Sequence, residues 1–151
     1  MHFYYSTCVT IDGKGVLLRG FSGSGKSDLA IRLINDGAEL VADDQVVFKK
    51  VGNNIWASPP PNIKGLIELR GIGLLRCDFV SRAPVALVVD LVSPMRVQRL
   101  PKAAVCEILG VEFPLIELAP FESSAPAKLS MACRAIVKSG KLGLIEDICR
   151  V

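Results

Sequence analysis

A glycine-rich segment near the N-terminus limits the folds open to this chain to a small set. It runs Gly20-Phe21-Ser22-Gly23-Ser24-Gly25-Lys26-Ser27 and satisfies the pattern G-x-x-x-x-G-K-[ST] in full. The segment follows a β-forming run and opens a stretch with helical spacing, which is the context this pattern requires. Its glycines let successive backbone N–H groups surround a phosphate, and the helix N-terminus adds a partial positive charge.

The two residues that close this segment carry the chemistry of a nucleotide site. In such phosphate loops the lysine, here Lys26, reaches the β- and γ-phosphates of a nucleotide. The hydroxyl of Ser27 is the group expected to ligate Mg²⁺. The pattern therefore predicts binding of ATP or GTP together with Mg²⁺.

Length and hydrophobic patterning predict one domain of the α/β class over residues 1–151. Half of the 151 residues are hydrophobic, so the chain can bury a single core. Helical spacing begins at Lys26, and Gly37 is the expected end of that helix. A second helix is predicted to begin after Ser124 and to extend to about Ser139-Gly140. Strands are predicted in five runs, 7–11, 15–19, 39–48, 52–56 and 84–92. Because strands precede a helix twice, we expect a mixed sheet with flanking helices.

Charge and cysteine content argue against several classes of partner. The net charge is +3, too small to indicate nucleic acid or a membrane surface, and the longest apolar runs fall short of the ~20 residues that cross a bilayer. The five cysteines show no metal-ligand spacing, which favours reduced thiols and a cytoplasmic location. Residues 64–102 hold seven basic and three acidic side chains, a balance that would suit phosphate chemistry.

A phosphate-loop protein usually needs a further carboxylate at a strand end, and two candidates stand in this chain. Asp90 ends the apolar run 85–89, as in a generic Walker B strand. The pair Asp43-Asp44 ends a weaker strand, and adjacent carboxylates there would point in different directions, one to a metal and one to an attacking group. Adjacent Asp residues after a strand also often form only a polar turn, and composition and spacing alone leave the functional and the polar-turn interpretations of this pair near even.

Three ordered segments resemble the signatures of HPr kinase/phosphorylase. They are the phosphate loop, the run Leu40-Val41-Ala42-Asp43-Asp44, and the run Leu66-Ile67-Glu68-Leu69-Arg70-Gly71-Ile72-Gly73. The resemblance covers the chain from about Thr7 to the final helix and concerns the catalytic C-terminal domain alone. It is strongest to the short form of α-proteobacteria, and it implies a phosphate-loop kinase domain of the HPr kinase type.

The resemblance also implies a role for individual residues. Asp44 matches the aspartate that acts as base in phosphorylation and as acid in the reverse reaction, and Asp43 would help to place metal or substrate. Glu68 matches a second magnesium ligand beside Ser27. Arg99 matches a catalytic arginine, and Arg70 lies in a segment implicated in both reactions. These two arginines would neutralise phosphoryl charge.

Two positions depart from the family pattern. The family carries a catalytic histidine fifteen residues before the first loop glycine, where this chain has Tyr5. His2 lies three residues earlier, a shift that reverses the facing direction in a strand, so its substitution for that histidine stays an open alternative. The segment linked to dephosphorylation corresponds to 119–124, which contains Glu122 and no arginine, and Lys128 is the nearest cation along the chain.

The implied function is that of an ATP- and Mg²⁺-dependent protein-serine kinase acting on an HPr-like phosphocarrier protein. The reverse reaction would consume inorganic phosphate and release pyrophosphate, and the pair of activities would regulate carbon metabolism through the phosphotransferase system. The family implies a homo-oligomer, a hexamer. Two alternatives remain: a nucleotide-binding regulator without kinase activity, which the departure at Tyr5 favours, and a small-metabolite kinase with a phosphate loop.

Overall fold

The computed structural model describes residues 2–136 and 138–144, and within them the chain forms two α-helices and eleven β-strands. The helices are α1 (Lys26–Asn35) and α2 (Ala125–Arg134). The strands are β1 (His2–Tyr4), β2 (Ser6–Ile11), β3 (Lys14–Arg19), β4 (Glu39–Ala42), β5 (Val46–Val51), β6 (Asn54–Ser58), β7 (Leu66–Leu69), β8 (Gly73–Arg76), β9 (Ala83–Leu91), β10 (Ala104–Ile108) and β11 (Val111–Leu118). In the described part of the chain, no helix is long and apolar enough to cross a bilayer.

The centre of the main sheet is built from parallel strands. β9 pairs in parallel with β3 on one side and with β11 on the other. β2 is antiparallel to both β3 and β4, so β4 runs in the same direction as β3. The carboxyl ends of β3, β4, β9 and β11 therefore share one edge of the sheet, the edge at which ligands bind in open α/β sheets.

The rest of the sheet is antiparallel and extends from the start of β9. β6 pairs with the first residues of β9, β5 pairs with β6, and β1 pairs with β5. β10 pairs with β11, and β7 and β8 form a separate hairpin. The mixed sheet with helices, predicted from the sequence, is confirmed.

Alternation along the central strands divides the core between the two faces of the sheet. Val9 and Leu18 belong to the cluster that also contains Leu29 and Leu33 of α1 and Leu129 of α2. The next residues along the strands, which point the other way, join a second cluster with β5, β6 and β10 (Cys8, Leu17, Phe48, Ile55, Ile108). The helices thus cover one face, and the antiparallel strands cover the other.

Several local predictions hold and two need correction. The β2–β3 hairpin forms as expected, with Asp12 and Gly13 at positive φ in its turn. The run 39–48 is two strands, because the backbone of Asp44 has a φ of 68° and cannot continue a pleated strand. The last helix ends at Arg134, and the chain then turns back so that Ile136 pairs with Leu142.

Candidate functional site

The phosphate loop connects β3 to α1 and takes a conformation that its glycines make possible. Gly23 and Gly25 have φ values of 85° and 102°, in the region that residues with a Cβ rarely occupy. The backbone N–H of Ser24 donates to the carbonyl of Phe21 across a distance of 3.0 Å. The hydroxyl of Ser24 is buried and has no hydrogen-bond partner among the described residues. A loop with a free buried hydroxyl fits a ligand that supplies acceptor oxygens, such as a phosphate.

Lys26, the first residue of α1, is held inside the loop. Its side chain is only 7% exposed, and its ammonium donates to the carbonyl of Gly20. The same nitrogen lies 4.0 Å from Oδ1 of Asp44. A buried ammonium with one carbonyl and one loosely placed carboxylate can also bind an anion, which is the role predicted for this lysine.

Asp43 follows β4 and links three segments of the site. Its Oδ1 accepts hydrogen bonds from the hydroxyl of Ser27 at 2.7 Å and from that of Thr7 at 2.9 Å. Its Oδ2 accepts from the backbone N–H of Glu68 at 3.2 Å. The side chain is 9% exposed, and these bonds satisfy a carboxylate that would otherwise be costly to bury.

Asp44 has the opposite environment although it is the next residue. Its side chain is 65% exposed, and its backbone N–H donates to the Thr7 hydroxyl at 3.2 Å. The left-handed backbone at Asp44 turns this carboxylate out of the strand while Asp43 stays buried. Thr7 is not among the predicted site residues, and its hydroxyl is one of three in β2, so the sequence does not single it out.

The groups beside the phosphate loop suit Mg²⁺ held partly by its nucleotide. Ser27 offers a hydroxyl and Asp43 a carboxylate in direct contact, and the backbone of Glu68 adjoins that carboxylate. Among the described residues there is no group of three or more His, Cys, Asp or Glu side chains that could hold a metal by themselves. Mg²⁺ commonly binds one or two carboxylates and completes its shell with phosphate oxygens and water, so these residues fit it.

The rival carboxylate, Asp90, is engaged elsewhere. Arg19, its neighbour across β3 and β9, donates to both of its oxygens, at 2.8 and 3.1 Å. This pairing raises the pKa of the Arg19 guanidinium, chiefly through the hydrogen bond to Asp90. The structure therefore brings Asp43, and not Asp90, into contact with Ser27.

Comparison with known proteins places this arrangement in a family. The family described as HPr Serine kinase C-terminal domain matches residues 2–129. The chain belongs to this family. The HPr kinase/phosphorylase of Chlorobium phaeobacteroides is 38% identical over 131 residues, which cover 78% of this chain and 41% of that protein. The HPr kinase/phosphorylase of Lactobacillus acidophilus is 39% identical over 97 residues, covering 59% of this chain and 30% of that protein.

A solved structure supports the same assignment. The Hpr(Ser) kinase/phosphatase from Coxiella burnetii superposes with a TM-score of 0.79 at 28% sequence identity, covering 89% of each chain. The chain spans less than half the length of the curated HPr kinase/phosphorylase relatives described above, and the family model that it matches describes a C-terminal domain.

The two arginines that the family resemblance indicated make no hydrogen bond or ion pair with the residues of the phosphate loop or with Asp43 and Asp44 in the described part of the chain. Arg70 and Arg99 are exposed, and neither makes an ion pair with any described residue. Tyr5 lies between β1 and β2 with 79% of its side chain exposed, and His2 lies in β1 opposite Phe48. The structure leaves the two arginines accessible without bringing them into contact with Lys26 or Asp44.

The segment 119–124, which links β11 to α2, lies against the phosphate loop. Arg32 of α1 donates to the carbonyls of Pro120 and Glu122. The carboxylate of Glu122 pairs with the ammonium of Lys128 at 3.3 Å. Lys128, the cation nearest to this segment along the chain, is thus already partnered by a carboxylate of the segment itself.

Proposed function

We propose that this chain is an ATP-dependent protein-serine kinase that acts on an HPr-like phosphocarrier protein. The observation that carries the proposal is the position of Asp44. Its carboxylate is exposed to an incoming protein and lies 4.0 Å from the ammonium of Lys26, the residue expected to hold the transferred phosphate. An exposed base next to a buried phosphate-binding cation is the geometry that transfer to a protein hydroxyl requires.

The nucleotide would bind on residues 20–27. The backbone of the loop and Lys26 would hold the β- and γ-phosphates, and Ser27, Asp43 and Glu68 would hold Mg²⁺. The metal, when bound, neutralises charge on the phosphate oxygens. Asp43 keeps the Ser27 hydroxyl in place through the bond of 2.7 Å, and Arg70 and Arg99 are accessible to stabilise phosphoryl charge in the transition state.

In the forward reaction the substrate serine attacks the γ-phosphorus. The new bond joins the serine oxygen to phosphorus, the bond from phosphorus to the β,γ-bridging oxygen breaks, and ADP leaves. Asp44 accepts the serine proton. Because a serine hydroxyl hardly ionises at neutral pH, a placed base contributes roughly 10²–10⁴-fold to the rate.

The reverse reaction uses the same groups with inorganic phosphate as the nucleophile. A phosphate oxygen attacks the phosphorus of phosphoserine, the bond to the serine oxygen breaks, and pyrophosphate forms. Asp44, protonated at this stage, returns the proton to the serine oxygen. Since phosphate and phosphoserine are both anions, this direction needs more positive charge at the site than the forward one.

The remaining expectations follow from the family. HPr kinase/phosphorylases act on a phosphocarrier of the phosphotransferase system, so we place this chain in the regulation of carbon metabolism, in the cytoplasm and as a homo-oligomer, a hexamer. One observation favours a second candidate, a nucleotide-binding regulator without transfer activity. Tyr5 occupies the position of the family histidine and cannot carry a positive charge, and its side chain is 79% exposed.

The test is transfer of phosphate to a protein. The purified chain is incubated with Mg·ATP and the HPr-like proteins of its own organism, and phosphoserine is read by mass spectrometry. We expect the wild-type chain to phosphorylate one of these proteins. Lys26→Ala should abolish the phosphorylation and weaken nucleotide binding, and its circular dichroism spectrum should match that of wild type. Lys49→Ala, at an exposed lysine on β5, is the matched control and should behave as wild type. ATP binding without any phosphoserine would favour the regulator, and a Lys26→Ala variant with normal transfer would refute the site.

A further inference from the structure

An exposed aromatic ring lies directly against the phosphate loop. The side chain of Phe121 is 69% exposed, although a phenylalanine at the surface forgoes a large hydrophobic gain. A Cβ placed on Gly25 would lie 2.9 Å from Cζ of Phe121 and 3.1 Å from Cγ of Pro120. The ring therefore contacts the backbone of the loop at Gly25 while most of its surface stays open to a ligand.

The backbone on either side of Phe121 is held in place by Arg32. The guanidinium donates to the carbonyls of Pro120 and Glu122, the residues that precede and follow the phenylalanine. Arg32 is oriented in turn by Asp28, whose carboxylate accepts from its Nε at 3.1 Å. Because Asp28 and Arg32 both belong to the helix that begins in the phosphate loop, the ring and the loop are tied to one rigid element.

The strand order places this ring at the edge of the sheet where a nucleotide on the phosphate loop would lie. Phe121 follows β11, which is parallel to β9, and β9 is parallel to the strand that enters the phosphate loop. The ring and the loop thus lie at the same carboxyl edge, separated by one strand. Phosphates on residues 20–27 leave the nucleoside to extend along this edge, which is where open α/β sheets bind the remainder of a nucleotide.

We propose that Phe121 contacts the nucleobase by stacking and that Arg32 is the positioning residue that holds the ring at the loop. This inference rests on the proposed nucleotide-dependent function and adds the base subsite to it. An aromatic face stacks on any base because every base has a π-face, so the contact gives affinity without selecting adenine over guanine. The binding free energy of this contact depends on the base alone, so loss of the ring should not change how Lys26 binds the phosphates.

The test compares a ligand with a base and a ligand without one. Binding of Mg·ATP, Mg·GTP and magnesium tripolyphosphate to the full chain is measured by calorimetry. Phe121→Ala should raise the Kd for both nucleotides about tenfold, which corresponds to ~1.4 kcal/mol and lies within the range for base–aromatic stacking. The Kd for tripolyphosphate should stay unchanged.

Further variants separate stacking from a structural role. Phe121→Trp should retain nucleotide affinity, whereas Phe121→Leu, apolar but not aromatic, should behave like the alanine variant. Arg32→Lys keeps the charge but loses the planar guanidinium fork, so it should weaken nucleotide binding and leave tripolyphosphate binding alone. Met131→Ala, at an exposed apolar residue of α2, is the matched control and should change neither ligand.

Each remaining outcome contradicts the inference in a recognisable way. An equal loss for nucleotides and tripolyphosphate in Phe121→Ala would mean that the ring supports the phosphate loop and makes no contact with the base. Unchanged binding of all three ligands with slower phosphorylation of the protein substrate would assign the ring to the partner protein. A wild-type chain that binds neither nucleotide nor tripolyphosphate would overturn the proposed function itself.

Discussion

At the scale of single residues, the site depends on two adjacent carboxylates with opposite environments. Asp43 is buried and accepts three hydrogen bonds, from Ser27, Thr7 and the backbone of Glu68. Asp44 is 65% exposed and has a positive φ, so its carboxylate is free to meet a substrate. In the proposed mechanism Asp43 would orient the hydroxyl of Ser27 while Asp44 exchanges a proton, because the left-handed backbone at Asp44 turns the two carboxylates into different environments.

The first prediction separates Asp44 from its rival Asp90. Asp44→Asn removes the proton acceptor without changing size, so the phosphorylation rate should fall on the order of 10²-fold or more while ATP still binds. Asp90→Asn should cost far less in rate, since that carboxylate is occupied by Arg19. Single-turnover phosphorylation of the substrate protein measures both.

The two variants must be compared as equally folded proteins, which circular dichroism and thermal unfolding establish. Asp90→Asn disrupts an ion pair whose side chains are 38% and 33% exposed, and it should lower the melting temperature slightly. If Asp90→Asn gave the greater loss of rate, the chain would use a generic Walker B carboxylate, and the role given to Asp44 would be wrong.

At the scale of elements, the connection from β11 to α2 carries a carboxylate that pairs with a cation of α2. Lys128 lies in α2, and its ammonium is paired with Glu122 in the connection. The ion pair is about half exposed, so it weakens but does not abolish the attraction of Lys128 for an anion. In the proposed reactions Lys26 and the phosphate loop would hold the anions of forward transfer, whereas phosphorolysis would also have to hold a second, free phosphate.

The second prediction follows for the reverse reaction. Phosphorolysis should occur but should need a high phosphate concentration, and Lys128→Ala should raise that concentration further. Glu122→Gln removes the competing carboxylate and should lower the phosphate needed for half-maximal rate by a factor of about two to five, since an exposed charge contributes ~1 kcal/mol or less. Pyrophosphate release from the phosphorylated partner, followed across a phosphate titration, measures this.

A control for that series is Glu112→Gln, an exposed glutamate near the start of β11, at the end of the strand away from the connection. It should leave the phosphate dependence as in wild type. Efficient phosphorolysis at low phosphate that neither Lys128→Ala nor Glu122→Gln alters would show that this connection plays no part in the reverse reaction.

At the scale of the whole molecule, the central strands are buried on both faces of the sheet, and one of the buried side chains carries a thiol. Cys8 of β2 is fully buried, and loss of solvent raises the pKa of its thiol to about 12. Burial likewise raises the pKa of Cys133 in α2 to about 11. Both thiols therefore stay protonated in the folded chain at pH values where the unfolded chain would ionise them.

The third prediction concerns stability at alkaline pH. Above a pH of about 9 the unfolded chain loses the Cys8 proton and the folded chain keeps it, so the free energy of unfolding falls as pH rises. Between pH 8 and pH 10 wild type should lose roughly 1.4 kcal/mol more than Cys8→Ala. Urea unfolding under reducing conditions at several pH values measures the difference.

Val9→Ala provides the control, because it removes a buried side chain from the same strand and has no group to titrate. It should be less stable than wild type at every pH while keeping the wild-type pH dependence. A Cys8→Ala variant that follows the same pH curve as wild type would mean that the thiol contributes nothing to alkaline unfolding.

The sequence by itself determined the features that depend on neighbours along the chain. The phosphate loop, the hairpin of β2 and β3 and the start of α1 follow from glycines that tolerate positive φ and from apolar residues at fixed spacing. Each is specified by a few consecutive residues, so no knowledge of the remaining chain was needed. The family resemblance depended on three such local segments in order.

Only the tertiary structure decided which distant groups meet. Asp90 follows the more strongly apolar strand, yet strand order and register place it beside Arg19. The end of β4 instead brings Asp43 into contact with Ser27 and Thr7. The break between β4 and β5, the pairing of Lys128 with Glu122 and the contact of Phe121 with the loop arise in the same way. These contacts join residues far apart in sequence, and their free energy depends on burial and geometry that only the packed sheet and helices create.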